Sequence, residues 1–570
     1  MRSAFTRHLP GFGVLVLLVV AWSTLWFGVG WGGVDDGNYL HVAERLLDGQ
    51  VLHRDVQDVH TGYINLWNAA VAGVFGRTLL ALRWPLVAID LVVAGLIYAV
   101  VAARTSPGRG ALAALAIGLL SVPLVPNPTA NWYALLCVVV AIAAAELAED
   151  RPRVEVVLGA MLGLTFGFRQ LSAVFFAAGL VAYLLHRPPR DQGSPRLATL
   201  SGLLALAVVG AVFARAEDAV GLLLYALPSL AVVAVATART RWSDRAWGLV
   251  LLRLAAGFSL ALAPLAAYHA WHGTVHEWLR DVVVVALSLP GLPFVARLEH
   301  LFLVAAPLVV LNQPEGATLT GLVASSFFPI LALSPWLAAV PTLRRMLAGA
   351  APGALPILAV CFAPVSLHYA TPMYLYYAAP LSLCALLLLA YTRRSHRRWT
   401  AALAIVAIGL GATFFGGRSA WGLLVDTLRG APQHQRLVDL PAARVWIPAE
   451  EADAYEHMVA VIHRYAGPDD AILAMPNQAT LYVLAERRNP TRFFNSALGL
   501  YDPLDRARAE ADVASDPPKL VLWNPDDKYV TPPATAFIAR LLPAYDRVGV
   551  DAQLGLEMWV RRREAESLAP

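Results

Sequence analysis

A chain of 570 residues that is 58% hydrophobic and only 15% charged, with a mean hydropathy of +0.58, is far more apolar than a soluble globular protein, so membrane residence is expected. Its formal charge of +4 sits in short arginine clusters between apolar runs, which argues against nucleic acid as a partner and makes the charge a report on topology. Cys137, Cys361 and Cys384 all fall inside apolar runs, against both a disulfide framework and a thiolate metal site.

The first apolar run, 11–31, follows the basic start MRSAFTRHLP but is too long for a signal peptide and precedes no small-x-small cleavage site; a retained helix is expected. Further runs near the length of about 20 residues that crosses hydrocarbon lie at 84–103, 110–125, 131–148, 154–168, 171–186, 198–214, 219–238, 248–268, 319–341, 354–368, 373–391 and 399–416. Thirteen helical spans are thus expected, and a β-barrel is excluded. A cytoplasmic N-terminus places Arg104 and Arg109, Arg151 and Arg153, Arg187, Arg190 and Arg196, Arg239, Arg241 and Arg245, Arg344 and Arg345, and Arg393 to Arg398 inside. The outer connections 126–130 and 369–372 carry no Lys or Arg, as the positive-inside rule requires. Residues 154–186 read as one long helix or two; alternation of the basic loops demands a hairpin turning at Arg169-Gln170. An odd number of spans then puts the C-terminus outside.

Two outer loops, 32–83 and 269–318, are too polar to span. The first opens with VDDGNYLHVAERLLDGQVLHRDVQDVHTGY, residues 34–63, which packs six carboxylates and three histidines into an otherwise greasy chain. Tyr39, Val42, Ala43, Leu46 and Leu47 have the spacing of an amphipathic helix, with Asp35 or Asp36 before its first turn and Gly49 after its last, a helix that should lie in the membrane interface. GYINLWNAAVAGVFG predicts a second helix beyond the polar turn HRDVQDVHT. One acid suffices to cap a helix, whereas a cluster of Asp35, Asp36, Arg54, Asp58 and His60 beside a bilayer reads as a site, because desolvating such groups is costly. Asp90, one or two turns below the outer end of the second span, would cost about 2.5–3.5 kcal/mol if unpaired at the bilayer centre, so it should face a cavity or a partner.

After about residue 420 the chain turns polar. AILAMP, KLVLW and LEMWV read as strands, and EEADAYEHMVAVIHRY and TAFIARLLPAY as helices. The expected organisation is a membrane module over 1–418 and an extracytoplasmic α/β domain over 419–570.

The pattern DD-G-x-Y-x-x-x-A-x-R-L-L-D-G, then R-D-V-x-D and FG, resembles the first extracytoplasmic loop of GT-C glycosyltransferases that use lipid-linked sugars, the protein O-mannosyltransferase-like and aminoarabinose-transferase-like families. LTFGFRQLS and HYATPMYLYYAAP are similar to that group more loosely. His60-Thr61-Gly62 stands where those families carry Lys-Pro-Pro, a departure in the cation of that turn. The resemblance implies sugar transfer from a polyprenyl-phosphate donor to a lipid, glycan or protein hydroxyl, with inversion at the anomeric carbon.

Such transfer needs a base at the attacking oxygen and positive charge at the departing phosphate. Asp35 is the expected base, with Asp36 orienting it or holding the acceptor. His60, Arg169, Arg280 and Arg297 are the candidate phosphate ligands, because arginine forks match phosphate oxygens; Arg54, Asp58 and Asp90 are supporting. No cofactor is expected, and a divalent metal is not favoured. A lipid or saccharide transporter and a non-catalytic relative are the competing classes. Convergence of Asp35, His60 and Arg169 on one outer hollow separates the enzyme from a transporter, which would show a path through the bundle. The expected location is the plasma membrane, N-terminus inside.

Overall fold

The computed structural model describes residues 13, 16–24, 26–31, 34–148, 151–188, 191, 193–214, 218–288, 299–312, 318–367, 372–390, 394–412, 435–500 and 502–562. Two helices of the first outer loop, α1 (Val34–Leu47) and α2 (Tyr63–Phe75), precede the bundle. It comprises α3 (Trp84–Arg104), α4 (Pro107–Leu120), α5 (Ala130–Leu147), α6 (Arg151–Phe168), α7 (Gln170–His186), α8 (Arg196–Phe213), α9 (Ala219–Ala238), α10 (Asp244–Trp271), α11 (Leu319–Leu347), α12 (Ala354–Phe362), α13 (Pro372–Leu389) and α14 (Arg394–Leu410).

Helices therefore fill the apolar runs, and Arg169, in extended backbone between α6 and α7, makes the expected hairpin. Among the described residues seven helices, α3 (with the turn before it), α4, α5, α8, α9, α10 and α11, are long and apolar enough to cross a membrane, and α7, α12 and α13 are shorter apolar helices. The expected thirteen crossings are not established: α6 and α14 begin with charged turns, Arg151 to Glu155 and Arg394 to Arg398. Arg109 reaches the carbonyls of Leu387 and Arg397, Arg239 that of Met346 and Arg345 that of Leu389, so these three arginines gather at one end, where they meet the last carbonyls of α11 and α13 and the first turn of α14.

Small residues set the closest packing in the bundle. A Cβ on Gly159 or Gly163 of α6 would fall 2.1 Å from the Leu254 oxygen or 2.6 Å from the Phe258 oxygen of α10, and one on Gly257 2.0 Å from the Val156 oxygen. Backbones meet directly, as small residues permit in membranes. Gly167, one step further, admits the ring of Tyr63 and so seats α2 beside the Arg169 turn.

The C-terminal region adds α15 (Ala449–Tyr465), α16 (Ala479–Ala485), α17 (Pro503–Ser515) and α18 (Pro532–Leu541), with strands β1 (Ile472–Met475), β2 (Leu520–Trp523), β3 (Tyr545–Asp551) and β4 (Leu556–Arg561). The sheet order is β1-β2-β4-β3, with β1 and β2 parallel and the other pairs antiparallel. Strand β3 was not foreseen; its exposed alternation, DRVGVD after Tyr545, lacks an apolar run.

The amphipathic loop helix does not simply lie on lipid. Gly37 of α1 sits against Thr480 of α16, His41 stacks on Tyr482 at 4.8 Å, and Leu40, Val42 and Ala43 share one apolar core with Ile472, Tyr482 and Leu522. Both acids stand inside its first turn, after Val34, and Gly49 follows with φ +86°.

A buried ion network ties the two outer loops to this region. Asp281, fully buried, pairs with Arg492 and with His53 Nδ1 at 3.1 Å; Arg492 also binds the His53 carbonyl at 2.9 Å and Asp505 at 3.3 Å. Arg280 forks onto Asp505 and Asp502 at 2.6 to 3.0 Å. Removing one partner from such a set strands a buried charge and costs about 3–5 kcal/mol. Arg492→Met should therefore loosen the C-terminal region and speed its proteolytic release from detergent-solubilised protein; cleavage at the wild-type rate would show that the network holds nothing.

Candidate active site

Consecutive helical residues point about 100° apart, and the acidic pair of α1 divides accordingly. Asp36 is buried and turns to Arg83, 3.3 Å away, whose guanidinium also binds the carbonyls of Phe27, Val29 and Gly30. That pair ties α1 to the start of α3 and gives Asp36 a structural partner. Asp35 stays partly exposed, with no hydrogen-bond partner among the described residues. Burial, and secondarily the charge of Asp36, pushes its pKa up to about 6 while Lys528 and His60 pull it down.

One turn on, at the i+4 position that faces the same way, Tyr39 lies within electrostatic reach of Asp35, Asp58 and Arg169. Its ring centroid is 6.2 Å from that of His60, and burial pushes its phenol up. His60 is held through Nδ1 by buried Asp58 at 2.7 Å, which leaves Nε2 as the nitrogen turned outward. Burial alone would raise Asp58, but the imidazole and the hydrogen bonds from His60 hold it below the usual carboxylate range. Asp58 is thus a positioning group.

Arg169 does not reach out to headgroups. It is buried, stands over the ring of Tyr374 at 5.7 Å, and leaves Nε without a partner. Its neighbour Gln170 ties the turn to both outer loops, donating to the carbonyls of Val59 at 2.8 Å and Val282 at 3.2 Å. Tyr374, at the start of α13, has both Arg169 and Asp35 as electrostatic neighbours. The loop after β2 joins them: Lys528 stands over Tyr529 at 5.2 Å, and Tyr529 feels Asp35 and Tyr374.

The structure therefore brings Asp35, Tyr39, Asp58, His60, Arg169, Tyr374, Lys528 and Tyr529 into one cluster linked by electrostatic and ring contacts. Other expected residues stand apart from this cluster. Arg54 is exposed and spends its fork on Asp55; Arg280 is matched by Asp502 and Asp505; Asp90 is buried against Gly118 of α4, and no charge of the cluster acts on it. Arg297 lies outside the described residues. Among the described residues no three His, Cys, Asp or Glu side chains gather as metal ligands. Tyr39, Tyr374, Lys528 and Tyr529 were missed by sequence reasoning. Tyr39 was legible from its i+4 spacing to Asp35, and Lys528 from being one of two lysines in the chain.

The apolar helices, with a polar cluster and the α/β region at one end of them, make this a polytopic membrane protein. Residues 63–214 match the model of the dolichyl-phosphate-mannose-protein mannosyltransferase family, which bears out the resemblance to that group of families. The match starts one residue past Gly62; it includes Arg169 and stops short of Asp35 and His60. Among solved structures the chain is similar to the oligosaccharyltransferase of Archaeoglobus fulgidus tethered with an acceptor peptide, at 14% identity and TM-score 0.42, over 91% of this chain and 69% of that one. It is also similar to ArnT from Cupriavidus metallidurans in the apo state, at 15% identity and TM-score 0.41 over 98% of both chains, and bound to undecaprenyl phosphate, at 13% and 0.38 over 96% and 97%. At TM-scores under 0.5 these likenesses carry no functional weight. No curated protein sequence matches the chain.

The raised pKa of Asp35 has a sign. A carboxyl that folding pushes from 3.8 to about 6 contributes stability that is complete below about pH 4 and is lost as pH rises through 6. Asp35→Asn should therefore be the more thermostable protein at pH 7.5, by about 1–3 kcal/mol, with the difference vanishing near pH 4. Equal unfolding temperatures at both pH values would mean that Asp35 is not held in a desolvated place.

Proposed function

We propose that the protein is a GT-C-type membrane glycosyltransferase that moves a sugar from a polyprenyl-phosphate carrier to an acceptor hydroxyl on the extracytoplasmic face of the plasma membrane, its N-terminus in the cytoplasm. The observation that carries the reading is one partnerless carboxylate, Asp35, within electrostatic reach of Lys528 and of the Asp58-held His60, with Arg169 sharing its neighbours Tyr39 and Tyr374. The family match over 63–214 supports it.

In the proposed reaction the acceptor oxygen attacks the anomeric carbon from the face opposite the phosphate. As the new carbon–oxygen bond forms, Asp35 takes the hydroxyl proton, and the bond to the phosphate oxygen breaks with its electron pair leaving on the lipid phosphate. Displacement of this kind inverts the anomeric centre. A base with a pKa near the working pH is a better proton acceptor than an ordinary aspartate, and positioned base catalysis is worth about 100- to 10,000-fold. Arg169 offers the phosphate a fork that its stacking on Tyr374 pre-orients, with His60 Nε2 and Lys528 as further donors. The reaction needs no metal ion, and the acceptor is a lipid, a glycan or a protein.

Purified protein given a panel of lipid-linked sugars should show transfer whose rate falls on the acid side with a midpoint near pH 6. Asp35→Asn should lose at least about 100-fold while eluting as wild type; retention of rate within twofold would refute Asp35 as the base. Arg169→Lys keeps the charge but loses the fork and the stacking, and should cost about 10-fold or more in kcat/KM. An unchanged value would remove Arg169 from the phosphate.

A further inference from the structure

Four arginines at the opposite end of the bundle are spent on internal partners, and Arg187 is not. Arg104 pairs with Glu146, Arg109 with the Leu387 and Arg397 carbonyls, Arg239 with the Met346 carbonyl and Arg345 with that of Leu389. Arg187, just after α7, stands over its neighbour Tyr183 at 5.6 Å, and its Nη1 is buried with no hydrogen-bond partner among the described residues. It lines a cavity of about 110 Å³ shared with Arg104, Glu146, Tyr183, His186 and Gly353.

The other polar groups of this cavity are already satisfied. Glu146 accepts from the backbone of Ala354 and Leu355 at the start of α12 while Arg104 neutralises it; His186 Nε2 is bonded to the Ala350 carbonyl at 3.1 Å and Tyr183 to that of Ala145 at 3.3 Å. Among the described residues the single uncompensated charge of this cavity is therefore the Arg187 guanidinium, and its buried Nη1 with no acceptor is costly to leave unfilled. Helix α7 starts beside Arg169 and runs 17 residues to His186, about 25 Å at 1.5 Å per residue, so the cavity is remote from the Asp35 cluster.

We propose that this cavity is a second binding site, separate from the reaction centre, that seats a phosphate group on Arg187. A tetrahedral oxyanion matches a guanidinium fork, and the place at the arginine-rich end of the helices is where an acidic phospholipid headgroup or a soluble phosphate compound would meet the protein. Full-length protein in detergent, titrated separately with short-chain phosphatidylglycerol, short-chain phosphatidylcholine and inorganic phosphate, distinguishes the two sources. Wild type should retain phosphatidylglycerol at least fivefold better than phosphatidylcholine in native mass spectra, and Arg187→Gln should abolish that preference. Arg344→Gln, an exposed arginine at the same end, should keep it.

Saturable binding of inorganic phosphate, lost in Arg187→Gln and accompanied by no lipid preference, would support the site with a soluble ligand. Absence of binding by all three probes in wild type, or equal losses in the two variants, would overturn it. The wild-type arm decides even if Arg187→Gln fails to fold.

Discussion

Everything at the outer end depends on how a membrane protein neutralises charge it has taken out of water. Asp281 is the centre of that solution. It lies in the second outer loop, fully buried, yet its two strongest partners come from elsewhere: His53 from the first loop and Arg492 from the C-terminal region. A buried carboxylate with a partner missing is far costlier than one whose partners are all present, so these three segments are bound to one arrangement. Arg280, braced on Asp502 and Asp505, extends the same constraint by one residue.

In the first outer loop the geometry of one helix separates two chemically identical groups. Asp35 and Asp36 differ by one position and by about 100° of direction. Asp36 falls on the side of Arg83 and becomes part of the scaffold; Asp35 falls on the open side and keeps a carboxylate with no assigned partner. The same division recurs for the cations. Arg169 stands over Tyr374 with its Nε unpartnered, whereas Arg280 is consumed by two aspartates. His60 occupies the turn where the resembling families carry lysine, and a lysine does reach the cluster, but from a loop about 470 residues away in the chain, at Lys528.

The helical bundle was readable because lipid imposes a simple rule: an apolar run of sufficient length closes its own backbone hydrogen bonds, and arginines stay at one end. The runs and the Arg169 hairpin both follow from those two demands. Strand β3 was not readable, because its residues face water on both sides and carry no period-2 apolar signal. The crossings at α6 and α14 stay below the standard of a spanning helix for a related reason: their charged first turns dilute the run that would mark them.

Local pattern alone determined that this chain is membrane-bound, where its helices lie, and that residues 34–63 hold an unusual density of ionisable groups. These are properties of composition and periodicity, each decided within a few turns of chain. Which of those groups stay available was decided only by tertiary structure. Availability depends on whether a countercharge arrives from a distant segment, and Arg83, Arg492, Tyr374 and Lys528 reach their places through the packing of the whole outer end.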